Sequence, residues 1–170
     1  MTKKEMAHSA NIQESIVIHV PKEKLWETTA LQFSRIGDWS PGVVRSKGNG
    51  TSQLGAACME RLCEPSYRGF TKTIERIVDY KPEIYQFTYQ IVAVMPKIVQ
   101  RATNTCTHID RGEATQIMMD VNMELKGFVG WLMRKPMQKR MVKILRENLE
   151  ELKTFVETGQ VHERKKRVNS

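Results

Sequence analysis

At 170 residues and 19.7 kDa the chain is sized for one domain, and 40% hydrophobic residues with ten glycines exclude a disordered or collagen-like polymer. No apolar run approaches the roughly 20 residues that a bilayer-spanning helix needs, since the longest, Ile91-Val92-Ala93-Val94-Met95, stops at Pro96. The net charge of +8 is uneven: from position 126 onward twelve basic residues stand against five acidic ones. Aromatic residues do not interleave with the charges of the tail, so nucleic acid is not an expected partner. The basic C-terminal region then reads either as a solvated helix face with a frayed end or as a weak contact for anionic membranes.

Residues 1–10 are polar and patternless and are expected to be flexible. Residues 12–20 place Ile16, Ile18 and Val20 on one side and Ser15, Val17 and His19 on the other, the alternation of a strand. Pro21 suits the first turn of a helix, and Leu25, Trp26 and Thr29 continue at helical spacing, predicting a short helix over 22–31. A second short helix over 33–39 closes at Ser40-Pro41-Gly42.

From Val43 to Leu125 the period becomes two, broken by turn signals such as Lys47-Gly48-Asn49-Gly50, Glu64-Pro65-Ser66 and Asp110-Arg111-Gly112. Six strands are predicted, about 43–47, 54–63, 69–78, 84–93, 97–109 and 113–125. Short turns without intervening helices imply an antiparallel meander. Tyr85, Phe87, Tyr89 and Ile91 share one face of their strand, as do Ile117, Met119, Val121, Met123 and Leu125 of the last. Residues 127–157 carry Phe128, Trp131, Leu132, Met137, Met141, Ile144, Leu145, Leu149, Leu152 and Phe155 at steps of three and four, the stripe of a long helix that must cover the apolar sheet face. Pro136 predicts an irregular start or a kink. Thr158-Gly159 supplies a stop, and the residues beyond Gln160 are expected to be disordered, so that their removal leaves stability unchanged.

Cys58, Cys63 and Cys106 are an odd set in a chain large enough to bury its own core, and they read as reduced thiols rather than a disulfide framework. The scattered histidines His8, His19, His108 and His162 do not complete a zinc site around Cys58 and Cys63. No metal or cofactor is expected. No nucleophile elbow, Walker loop or dinucleotide fingerprint is present, and Gly48-Asn49-Gly50 lacks the following helix that phosphate binding requires. The N-terminal residues have no apolar segment behind their lysines, so a cytoplasmic location is the default expectation.

The order of elements, one strand, two short helices, six strands and a long helix, resembles the α+β helix-grip fold. The local sequence resembles the START-like superfamily (SRPBCC) that includes polyketide cyclase/dehydrase-type proteins, lipid-transfer domains and the major birch pollen allergen. Val20-Pro21-Lys22-Glu23-Lys24-Leu25-Trp26 is similar to the family's strand-to-helix step, and Trp39-Ser40-Pro41-Gly42-Val43 to the exit of its second helix. Leu54-Gly55-Ala56-Ala57 and Ile74-Glu75-Arg76-Ile77 look like its strand segments, and residues 145–157 like the end of its long helix. The resemblance implies a curved seven-stranded antiparallel sheet wrapped around the C-terminal helix. It implies one ligand-binding domain over 11–158, with a basic tail over 159–170.

A curved sheet around a single helix leaves concave apolar surface uncovered, and a nonpolar ligand is its natural occupant. Parity nominates Tyr85, Phe87, Tyr89, Met119, Val121 and Met123 from strands, with Trp131, Met137 and Met141 from the helix; the same residues read equally well as plain core. In resembling proteins the glutamate before an arginine on the Ile74-Glu75-Arg76 strand often points inward. Neither face of that strand is cleanly apolar, so two readings of Glu75 stay open. Inward, it is a ligand anchor or a general acid/base, the one candidate catalytic residue; outward, it is a cross-strand ion-pair partner. The resemblance therefore implies a carrier or sensor for a lipid, isoprenoid or polyketide-like molecule, or alternatively a polyketide cyclase/dehydratase working in the same cavity.

Overall fold

The computed structural model describes residues 7–66, 72–93 and 95–169. Seven strands, β1 (Ala7–Ile18), β2 (Val43–Asn49), β3 (Glu60–Pro65), β4 (Thr73–Lys81), β5 (Gln86–Ala93), β6 (Val99–Asp110) and β7 (Thr115–Lys126), form one sheet in the order β1-β7-β6-β5-β4-β3-β2. Every neighbouring pair is antiparallel. Consecutive strands β2 to β7 are joined edge to edge, and β1 closes onto β7, so the period-two pattern finds the meander it implies. Register shifts at Val43/Arg45, Ile74/Glu75, Ile77/Asp79 and Val99/Arg101 insert bulges, which bend strands and deepen the curvature of a sheet.

Between β1 and β2 lie α1 (Lys22–Trp26), a π turn over Glu27–Leu31 and a 3-10 helix over Phe33–Asp38. Leu25, Trp26, Ala30, Phe33 and Ile36 of this segment are buried. After β7 the chain turns sharply through Gly127, at φ 67°, a left-handed conformation that a Cβ disfavours, into α2 (Gly127–Thr158). Leu145, Leu149, Leu152 and Val156, at steps of four, three and four, bury its C-terminal half against β1 and β7. This is the helix-grip architecture, a curved seven-stranded sheet holding a long C-terminal helix.

Several expectations change. The segment expected to be flexible up to residue 10 is in β1 from Ala7 onward, because the backbone of Ala7 to Ala10 pairs with Lys126 to Met123 and Ala10 is fully buried. The strand expected over 54–63 begins only at Glu60, since Gly50 and Gly55 take φ of 69° and 80° and turn the chain before it. Part of the strand expected over 69–78 lies outside the described residues. Pro136 sits inside one continuous helix; the Leu132 carbonyl it leaves without an intrahelical donor belongs, like Pro136, to an exposed residue, where water can serve it.

The basic tail is also not disordered over Glu163–Asn169, which form α3. Arg164 pairs with Glu150 at 3.0 Å and with Glu151, and the Lys165 ammonium, 1% exposed, donates to the Val43 carbonyl at 2.7 Å. Charges that looked like a solvated tail are thus consumed against α2 and the start of β2.

Candidate polar centre of the inner sheet face

Four neighbouring strands bring one polar side chain each to the inner face. Arg61 on β3 stands opposite Glu75 on β4, and Tyr89 on β5 stands opposite Asn104 on β6. Arg61 Nε and Nη2 donate to the same Glu75 oxygen, Oε2, at 2.6 and 2.5 Å, while Nη1 donates to the Phe33 carbonyl at 2.8 Å. The guanidinium lies 3.9 Å over the Phe33 ring and 5.1 Å from the Tyr89 ring centroid. Phe33, Phe87 and Tyr89 close an aromatic wall around it, with centroids 5.6 to 6.3 Å apart.

Electrostatics fix the protonation states. Burial pulls the Arg61 guanidinium's pKa down, but the Glu75 carboxylate more than offsets it and the net shift is upward, so the guanidinium stays charged. Burial, reinforced by the Glu75 charge, pushes the Tyr89 phenol up. Cys63 and Cys106 are pushed to about 12, burial being the main cause for both. They are inert thiols at neutral pH rather than nucleophiles.

Asn104, 5% exposed, donates through Nδ2 to the Tyr89 hydroxyl oxygen at 3.0 Å. Its Oδ1 is buried and has no hydrogen-bond partner among the described residues. A buried amide oxygen without a donor costs about 1 to 3 kcal/mol, so it marks a position where a donor from outside the chain would be favoured.

Glu75 and Tyr89 thus converge with Phe87, while Val121 and Met119 stand opposite Asn104 and Cys106 on β7 and Met123 opposite Ala102. These three β7 residues are buried core. Met137 and Met141 are half-buried on the underside of α2. Tyr85 is elsewhere: it precedes β5 in a left-handed conformation, packs edge-on to Trp26 and donates from its hydroxyl to Glu23 at 3.2 Å. Trp131 does not face inward. It is 51% exposed and stacks on Phe128, because Gly130 is the residue by which this part of α2 approaches Leu125.

Arg61, Phe33 and Asn104 were not anticipated. The alternation of Ala102, Asn104, Cys106 and His108 on β6 was the available signal for Asn104. A second buried polar group, His108, bonds the Tyr85 carbonyl through Nδ1 and Thr29 Oγ1 through Nε2, both at 2.8 Å. Since a carbonyl only accepts, Nδ1 carries the proton; burial lowers His108 to about 4, so the ring is neutral and ties α1's extension to the sheet. Of the grooves formed by described residues, one is lined by Asn11, Gln13, Thr103, Thr105, Asp120 and Asn122, with Ile12 and Val121. Its residues belong mostly to the opposite face of β1, β6 and β7.

A sequence profile described as polyketide cyclase / dehydrase and lipid transport matches residues 9–157. No curated protein sequence matches the chain significantly. Among solved structures, the Zhui aromatase/cyclase from Streptomyces superposes with a TM-score of 0.71 at 12% identity, covering 91% of this chain and all of the other (100%). The protein TTHA0849 from Thermus thermophilus gives 0.69 at 16% identity, covering 86% and 96%. A START superfamily protein from Mycobacterium smegmatis gives 0.65 at 15% identity, covering 83% and 94%. At these identities the superpositions speak for the fold, and together with the profile over nearly the whole chain they establish that the protein belongs to the polyketide cyclase / dehydrase and lipid transport family.

Proposed function

We propose that the protein is a carrier or sensor for a mainly apolar small molecule, a lipid, isoprenoid or polyketide-like compound, bound over the inner face of β3 to β6. The observation that carries the reading is the unpartnered Asn104 Oδ1 beside Tyr89, in a wall of Phe33, Phe87 and half-buried aliphatic residues such as Ile91. An apolar body with one hydroxyl or N–H matches such a lining: Phe33, Phe87 and Asn104 are 1%, 2% and 5% exposed, so the body enters by parting the half-buried side chains around them, and its donor satisfies the amide oxygen.

Zhui is described as an aromatase/cyclase, and an enzymatic role would place proton transfer on Glu75. Its ion pair argues against that role, because an acid/base group must exchange its proton with a substrate, and Glu75 Oε2 is already engaged twice by a buried cation. Native mass spectrometry of protein purified without detergent tests the proposal. An apolar adduct is expected on the wild-type chain and a weakened one on Asn104→Leu. Wild-type protein that takes up no fatty acid, isoprenol or aromatic polyketide when these are supplied overturns it.

A further inference from the structure

We propose that the first turns of α2 are a docking element for anionic lipid bilayers. Phe128, Val129, Trp131, Leu132 and Met133 are 73%, 55%, 51%, 59% and 38% exposed, and the Phe128 and Trp131 rings stack at 5.5 Å. Five consecutive-turn apolar side chains in water make a contiguous patch, which single exposed residues do not.

Its electrical surroundings identify the partner. Between Glu124 and Glu147 there is no acidic residue, while Lys126, Arg134, Lys135, Lys139 and Arg140 are basic; Lys143 and Arg146, further along, pair with Glu147 and Glu14. Phe128, Leu132, Lys135 and Lys139 follow one another at four, three and four residues, so a single helical stripe runs from an apolar tip to a cationic shaft. Aromatic and aliphatic groups that enter the acyl boundary next to lysines that meet lipid phosphates are the arrangement of an interfacial helix. No described helix is long and apolar enough to cross a membrane, so the contact is with the surface.

A second copy of the chain is a poorer occupant. A two-fold contact through this patch would set one all-basic segment against another, and like charges across an interface are repelled. The tail is no substitute for the patch, since Arg164, Lys165 and Lys166 already bond Glu150, Glu151, Val43 and Glu163.

The test is flotation of the full chain with phosphatidylcholine vesicles, with and without phosphatidylserine, at low salt. Trp26 and Trp39 are 6% and 5% exposed, so a blue shift of the emission reports Trp131. Binding and a blue shift are expected only with phosphatidylserine. The double substitutions F128S/L132S and K135E/K139E, all at exposed positions, should keep the thermal midpoint and each lower vesicle partitioning at least about tenfold. The proposal is overturned if the wild type ignores phosphatidylserine vesicles, if F128S/L132S binds undiminished, or if sedimentation shows a wild-type dimer that this variant abolishes without any vesicle binding.

Discussion

Arg61 and Glu75 face each other across β3 and β4 inside the protein, while the residues beside them, Glu60 and Arg76, make the mirror pair on the other face at 2.8 Å. The dipeptides Glu60-Arg61 and Glu75-Arg76 run in opposite directions, so antiparallel pairing matches unlike charges on both faces at once. Both partners of the inner pair are largely buried, with side-chain exposures of 5% and 15%.

Removing one partner of a buried pair leaves a charge without compensation, at about 3 to 5 kcal/mol. Glu75→Gln keeps one acceptor for Arg61, so a loss near the bottom of that range, about 3 kcal/mol, is expected in urea unfolding. The double substitution Arg61→Met/Glu75→Leu should recover most of it, since two apolar side chains leave no charge behind. A single variant as stable as the wild type would show that the pair is solvated in solution.

His108 makes the stability pH-dependent. Its folded pKa of about 4 lies below the usual 6.5, so between these values the unfolded chain binds a proton that the folded chain refuses. Stability is therefore lost as pH falls from about 6.5 to 4, by up to about 3 kcal/mol. Glu151, raised to about 7 mainly by burial, works in the opposite sense: between about 4.5 and 7 only the folded state holds its proton, so that contribution is lost as pH rises. The difference between wild type and His108→Gln isolates the histidine, and it should shrink steadily from pH 7 to pH 4. A difference independent of pH would contradict the neutral buried ring.

Deletion of residues 161–170 is expected to destabilise the protein. It removes the Lys165 bond to the Val43 carbonyl and takes the guanidinium of Arg164 away from Glu150 and the buried Glu151. Bonds that involve charged groups contribute about 1.5 to 3 kcal/mol each at best, and for a chain of this size about 2 kcal/mol lowers the thermal midpoint by roughly 5 °C. An unchanged midpoint by calorimetry would mean that α3 does not dock.

Periodicity made the architecture readable, because strands with one buried face and a helix with one buried stripe write their contacts into the sequence at steps of two and of three or four. It could not orient residues 127–133, where apolar side chains surround the helix and a single glycine, Gly130, takes the buried position. It placed a strand at Leu54 for the same reason, since apolar residues between glycines look alike in a strand and in a turn. Lys165 lay beyond reach altogether: its burial depends on a carbonyl at Val43, more than a hundred residues away. The candidate centre was half legible. Phe87 and Tyr89 follow from parity; Glu75, on a strand with no cleanly apolar face, comes from the family resemblance with two orientations open, and Arg61 reads as a surface residue until its register with Glu75 is known.

Asn104 and Tyr89 offer the clearest separation of function from stability. The Asn104 amide satisfies Tyr89 through Nδ2 and leaves Oδ1 buried without a donor, an arrangement that burdens the free protein and is useful only when a ligand supplies a hydrogen. Asn104→Leu alone removes the orphan but strips the Tyr89 hydroxyl of its donor, so its stability should stay within about 1 kcal/mol of the wild type. Asn104→Leu/Tyr89→Phe removes both polar groups together and leaves apolar side chains of similar size, so it should be more stable than the wild type by about 1 to 2 kcal/mol in urea unfolding. The same variant should bind a long-chain alcohol less tightly than the wild type by roughly tenfold, the worth of one hydrogen bond made in an apolar site. Its affinity for the matching alkane should be unchanged or higher. A double variant that is destabilised, or that loses alkane and alcohol equally, would mean that the pair supports the packing of β5 against β6 and has no part in ligand recognition.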